Sequence, residues 1–190
     1  MTTPGWLPVW KIMPALRALS AGGVIAYPTE AVYGLGCLPR YQPVRNLLHI
    51  KRRSPRKGLI LVAASAAQLG AYITFPDHRT RDQVLATWPG PVTWLLPVRP
   101  GTPAWLRGDH STLAVRVSAH PVIQALCARM GALISTSANP AGSTAARDAA
   151  RVRAYFGPVL DYVLSGPVGD STRPTEIRDA LTGTVIRPGG

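Results

Sequence analysis

At 190 residues the chain has the size of one ordinary globular domain, 1–190, able to bury a continuous core without staples. Hydrophobic residues make up 46% and fall in short runs separated by Gly and Pro, which excludes a disordered chain; none of the runs approaches the roughly 20 apolar residues of a membrane span. Lys and Arg number 21 against 9 Asp and Glu, a formal net charge of +12, so many cations have no carboxylate to pair with and an anionic ligand such as nucleotide, phosphate or RNA is implied.

Met1–Trp10 has no charged region followed by an apolar run, so no export leader is expected and a soluble, cytoplasmic protein follows. Pro14 and Pro43 each stand where a first helical position would be, ahead of helices over Ala15–Leu19 and Val44–Ile50. A strand over Gly23–Tyr27 lies between them, and Leu59–Ala63 reads as the next. Helical periodicity covers Ala66–Tyr72 and Arg79–Thr87. Trp88–Val117 reads as adjacent strands, Val92–Val98 and Leu113–Val117, joined by a loop. A helix over Pro121–Met130, a strand over Ala132–Thr136, a helix over Asp148–Phe156 and strands over Val159–Leu164 and Thr184–Ile186 complete the chain. This interleaving predicts an α/β fold, a mixed sheet with helices on its faces. Pro97–Pro103 is too short to act as a linker between domains, and Cys37 and Cys127, far apart, read as reduced thiols with no role.

Small or polar residues gather where apolar runs end, the places that carry function in α/β proteins. In Tyr27–Gly36, Gly34 and Gly36 let the backbone approach a ligand and Thr29 offers a hydroxyl, although an ordinary turn has the same composition. Lys51–Lys57 holds five cations in seven positions. They suit a helix C-terminus, yet cations this dense repel one another unless an anion such as polyphosphate binds among them. In Ser135–Gly142, Ser137 and Asn139 either line a pocket or satisfy a turn. Thr112 and Arg116 share a strand face by the period of two; an Arg among apolar neighbours is costly unless paired, for which a carboxylate or phosphate serves. GxxxxGK[ST], GxGxxG and HExxH are missing from the sequence, its four histidines are scattered, and so few acids argue against a carboxylate cage for metals.

In combination and in order, PTEAVYGLG at 28–36, Lys51 and Arg53 as a KxR pattern, KGLIL at 57–61, WPGPVT at 88–93, LAVRV at 113–117, STSAN at 135–139, then PTEIRD and IRPG near the C-terminus closely resemble the threonylcarbamoyl-AMP synthase family. The likeness is to its short, single-domain form, the YrdC or TsaC type, and covers nearly the whole chain. It implies a twisted open α/β sheet, YrdC-like, whose basic concave surface holds ATP and threonine. It carries over Lys51, Arg53, Ser137 and Asn139 as a KxR and SxN tetrad. By the same resemblance Thr29, Arg53, Arg116 and Thr175 look like threonine-binding positions, and Lys51, Thr112, Ser137, Asn139, Arg147 and Arg187 like ATP-binding ones. Thr175 stands where many relatives have Ser, and no counterpart of the longer relatives' C-terminal domain is expected, so any lid comes from loops or a terminus.

The implied reaction joins L-threonine, bicarbonate or CO2 and ATP into threonylcarbamoyl-adenylate and pyrophosphate, for modification of an adenosine in tRNA. Lys51, Arg53 and Lys57 are the expected catalytic cations, Mg2+ arrives with ATP, and a downstream tRNA threonylcarbamoyl transferase machinery takes the product. The competing reading is a non-catalytic RNA-binding module in tRNA or ribosome maturation, which the net charge suits equally well. Its signatures are weak: there is no RNP-like aromatic strand pair, and the cations are not interleaved with aromatics.

Overall fold

The computed structural model describes residues 8–171 and 174–189; most of Met1–Trp10, read above for an export leader, lies outside them. Helix α1 spans Val9–Ser20 and runs through Pro14 instead of starting there. The proline removes one hydrogen bond of the ladder, but Ile12, Ala15, Leu16 and Leu19 bury one stripe of the helix and hold it together. Pro43 is likewise inside its helix, α2 (Tyr41–Lys51), in the first turn, where a missing N–H costs nothing.

Strands β1 (Ile25–Pro28) and β2 (Tyr33–Cys37) form a hairpin, so the second half of the segment taken for a loop is a strand. Every β2 residue is buried, and its Gly-Leu-Gly centre shows no alternation, which is why periodicity misses it. β3 (Ile60–Ala63), β4 (Val92–Pro97), β5 (Thr112–Val117) and β6 (Leu133–Ser137) lie within one or two residues of their expected places. So do the helices α3 (His78–Leu85), α5 (Pro121–Met130) and α6 (Ala149–Phe156). The helix expected over Ala66–Tyr72 is only a 3-10 turn at Ala66–Leu69, and a short helix α4 (Ala104–Arg107) sits in the β4–β5 connection. The strand expected over Val159–Leu164 shrinks to β7 (Tyr162–Val163), while β8 (Glu176–Asp179) was not anticipated and pairs with β9 (Val185–Arg187).

The nine strands form one mixed sheet in the order β7-β1-β2-β6-β3-β5-β4-β8-β9. Alternation along each strand divides the core in two. Ala26, Leu35, Leu61, Val115 and Ile134 face α2, α3, α4 and α6; Ile25, Tyr27, Val62 and Leu133 face α1 and α5. Cys37 and Cys127 are buried in different halves, and burial pushes both thiols up to about 12. Helices α1 and α5 pack chiefly on β1, β3 and β7, at one end of the sheet, while the residues of β5, β4 and β8 on the same face line a cleft. The candidate site occupies that cleft.

Candidate active site

Register decides what floors the site. Ile60 pairs with both Ala114 and Ser135, Gly34 with Ser137, Leu95 with Ala114, and Ile177 with Arg187. Cross-strand partners share a face, so these residues pave one surface. Small side chains at Gly34, Ser135 and Ala114 leave room above the sheet for a cleft of about 550 Å3. Gly34 and Gly36 differ in what they serve. A Cβ on Gly34 would stand 3.1 Å from Ser135 Oγ and Thr29 Cγ2 at the cleft, whereas one on Gly36 would meet Ile134 O at 2.5 Å and the Tyr27 ring at 2.7 Å. Gly36 therefore serves packing, not ligand approach.

Of the positions singled out in the sequence, Thr29, Arg53, Lys57, Thr112, Arg116, Ser137, Asn139, Thr175 and Arg187 line this one cleft. Arg107 and His110, from the β4–β5 connection, line it too and were not singled out. Lys51 is not a lining residue: it is buried behind the β6 loop, where Nζ donates to Ser137 O at 2.6 Å, Asn139 O at 2.5 Å and Asn139 Oδ1 at 3.1 Å. Ser137 Oγ donates to the same Asn139 Oδ1 at 2.7 Å, and Asn139 Nδ2 to Ser143 O at 2.6 Å. The ammonium thus holds the small-residue loop in shape. Burial, and after it the neighbouring Arg53 charge, lowers Lys51 to about 8.

The chain reaches Arg53 through a turn at Arg52, whose φ of 47° is left-handed and ends α2. Arg53 then donates to Gly58 O at 2.9 Å, its Nε buried without a partner, and burial lowers its pKa. Gly58 is required here, because with φ of 60° a Cβ would lie 2.8 Å from Arg107 O. Arg147 departs from the expected nucleotide site: it is exposed, does not line the cleft, and sits 3.3 Å from Ser171 O.

Arg116 is the buried cation of the cleft, and its pairing was not foreseen. Its NH2 lies 3.2 Å from Glu30 Oε2, both side chains at most 10% exposed, and Glu30 Oε1 accepts from Ser118 Oγ at 2.6 Å. NH1 donates to Thr175 Oγ1 at 2.5 Å and reaches Thr93 Oγ1 at 3.4 Å, leaving Nε unpartnered. Arg187 caps Thr175 O through Nε and NH2 at 3.1 and 2.7 Å, so Thr175 is gripped by two arginines. Burial, then the Arg116 charge, lowers Arg187. The available signal for Glu30 was physical: a strand arginine among apolar residues needs a counter-ion, and Glu30 is the acid of the first polar segment.

Arg53, Lys57, Arg107, Arg116 and Arg187 converge on the cleft, and no carboxylate is among its lining side chains. Such a site raises the local concentration of an anion and can stabilise charge on phosphate oxygens. Among the described residues no group of three or more His, Cys, Asp or Glu could hold a metal ion.

A family model described as "Telomere recombination", covering Sua5, YciO and YrdC proteins, matches residues 17–189. The chain is 50% identical over 182 residues to the threonylcarbamoyl-AMP synthase of Nitrosococcus oceani, covering 95% of this chain and 98% of that one. It is 52% identical over 185 residues to the same-named protein of Alkalilimnicola ehrlichii, covering 95% and 96%. The crystal structure of P. abyssi Sua5 complexed with L-threonine superposes with a TM-score of 0.90 at 28% identity over 97% of this chain, which spans 55% of that longer chain. E. coli YciO gives a TM-score of 0.80 at 26% identity, covering 92% of this chain and 87% of that one. A shared sheet, a whole-length match and half-identical relatives together mean that this chain belongs to the Sua5/YciO/YrdC family.

Proposed function

We propose that the chain is a threonylcarbamoyl-AMP synthase, forming threonylcarbamoyl-adenylate and pyrophosphate from L-threonine, bicarbonate or CO2 and ATP, for modification of tRNA. The observation that carries this reading is the convergence of five Lys and Arg side chains with the hydroxyls of Thr29, Thr112, Ser137 and Thr175 around one cleft lined by no carboxylate, in a chain half-identical to synthases along its length.

Threonine's amine adds to CO2 and releases a proton, giving a carbamate. A carbamate oxygen then attacks the α-phosphorus of ATP; the bond from that phosphorus to the bridging oxygen breaks, and pyrophosphate leaves with the electron pair. Negative charge builds on phosphate oxygens, so preorganised cations and positioning supply most of the acceleration. Arg53 and Lys57 contact the polyphosphate, Lys51 fixes the Ser137–Asn139 loop and adds its charge from behind, and Thr112 and Arg187 complete the nucleotide site. Arg116, steadied by Glu30, binds the threonine carboxylate beside Thr29 and Thr175. With no carboxylate among its lining side chains, the cleft would offer Mg2+ only hydroxyls such as those of Thr112 and Ser137 beside the phosphates of ATP, and the ion would offset charge on the phosphate oxygens.

The labile adenylate passes to a tRNA-modifying transferase, and the protein works in the cytoplasm; no helix among the described residues is long and apolar enough to cross a membrane. Release of pyrophosphate from ATP tests the reading. Release that requires both threonine and bicarbonate is expected; release indifferent to either would refute it. The reading as a non-catalytic RNA module is set aside, since relatives matched end to end carry the name of a synthase.

A further inference from the structure

Two loops at one end of the cleft are interlocked. Leu59 N donates to Leu106 O at 3.0 Å and Asp109 N to Arg56 O at 3.2 Å, which ties the 3-10 turn Pro55–Lys57 to the β4–β5 connection. Gly108 permits the approach: its φ is 66°, and a Cβ there would collide with Arg56 O. Arg56 turns to Asp109, its Nε 2.6 Å from Oδ2, and neither residue lines the cleft. Arg107, two residues before Asp109, does line it and has no carboxylate within ion-pair distance among the described residues. Its NH1 donates to His110 O at 2.7 Å and reaches Gly108 O at 3.4 Å, as a cation ending a helix does. NH2 and Nε make no hydrogen bond among the described residues, so capping uses one nitrogen of three.

Register says which part of the substrate this end meets. β3 and β5 run parallel, Ile60 beside Ala114 and Val62 beside Arg116, so Lys57 and Gly58, just before β3, come off the same end of the sheet as Thr112 and the connection before it. Ser137 ends β6 there too, because β6 runs antiparallel to β3 with Ser135 opposite Ile60. Arg116 stands four residues along β5 from Thr112, about 13 Å at the rise of a strand. A carboxylate held at Arg116 and the outer phosphates of ATP are separated by the carbamate and the α-phosphate, so they need cations at opposite ends of the cleft. We propose that Arg107 is a further catalytic cation: with Lys57 it holds the two phosphates that leave as pyrophosphate. The inference rests on the synthase reading and adds to it a residue and a place. When the bond from the α-phosphorus to the bridging oxygen breaks, the electron pair moves onto pyrophosphate. A guanidinium already fixed through NH1 meets that charge with NH2 and Nε and without reorganisation.

The test is calorimetric titration of the full chain with inorganic pyrophosphate, with steady-state kinetics alongside. Arg107→Ala should weaken pyrophosphate binding roughly tenfold or more, the worth of one charge-assisted hydrogen bond, and lower kcat/KM for ATP by a similar factor. KM for threonine should stay near wild type. Arg107→Lys keeps the charge but not the planar fork and should recover only part of the loss. Wild-type pyrophosphate affinity in Arg107→Ala would overturn the proposal. So would a rise in KM shared equally by ATP and threonine together with a lowered Tm, which would make Arg107 a support of its loop and no more. Failure of the synthase reading looks different: pyrophosphate release indifferent to threonine, with pyrophosphate binding still dependent on Arg107, would remove the synthesis and keep the subsite.

Discussion

Arg116 and Glu30 face each other at 3.2 Å, so the buried cation that lines the cleft already has a counter-ion inside the protein. Glu30→Gln keeps a group for Ser118 to bond but removes the negative charge. Removing one partner of a buried pair costs about 3–5 kcal/mol, so chemical denaturation should show a loss of that order. An arginine relieved of its counter-ion attracts a carboxylate more strongly, and KM for threonine should fall in the same variant. A rise in that KM would mean that Glu30 positions Arg116 more than it neutralises it.

Thr175 accepts from Arg116 through its hydroxyl and from Arg187 through its carbonyl. Thr175→Val conserves shape and leaves the carbonyl in place, so only the Arg116 contact is lost, at about 1–3 kcal/mol for a buried donor left unsatisfied. Steady-state kinetics should show KM for threonine raised roughly tenfold with KM for ATP little changed. Thr175→Ser should stay near wild type.

With its pKa lowered to about 8 from 10.5, Lys51 should make the enzyme sensitive to mild alkali. As pH rises through about 8 the free enzyme loses this charge and kcat/KM for ATP should fall; kcat should hold to higher pH, since a bound triphosphate raises the lysine again. Stability moves the other way. Between about 8 and 10.5 the unfolded chain binds more protons than the folded one, so the desolvation cost of Lys51, present in full below that window, is relieved across it. Paired pH profiles of wild type and Lys51→Met check both, and a limb that stays at 8 in the variant would belong to another group.

The paired glycines of β2 separate site from scaffold. Gly36→Ala drives a Cβ to 2.5 Å from a backbone carbonyl and should destabilise by about 1–3 kcal/mol or more, read as a lowered Tm. Gly34→Ala meets side-chain atoms of Ser135 and Thr29 at 3.1 Å and a backbone carbonyl, Thr136 O, only at an ordinary 3.6 Å, so Tm should fall far less than in Gly36→Ala while the cleft narrows and kcat/KM drops.

Much of the fold was legible because local chemistry sets it: β3, β4, β5 and β6 are apolar runs bounded by turn residues, and α5 carries its own proline start and glycine stop. The same holds for several residues of the cleft, since Thr29, Arg53, Ser137 and Asn139 stand in polar segments at the ends of a strand or a helix, where the sequence already sets them apart from the apolar runs. What failed was whatever depends on a distant partner. β2 is a strand because β1 and β6 bond it on both sides, and β8 because β4 and β9 do, although neither shows a strand's alternation.

The sequence by itself determined the strand runs, the excess of cations and the chemistry of each polar loop, all properties of residues near one another along the chain. Tertiary structure alone decided that Glu30 neutralises Arg116, that Lys51 stands behind the cleft, and that Arg147 does not line it. Ion pairs, burial and register are relations between segments far apart in the chain, and they acquire energies only when folding brings those segments within a few ångströms.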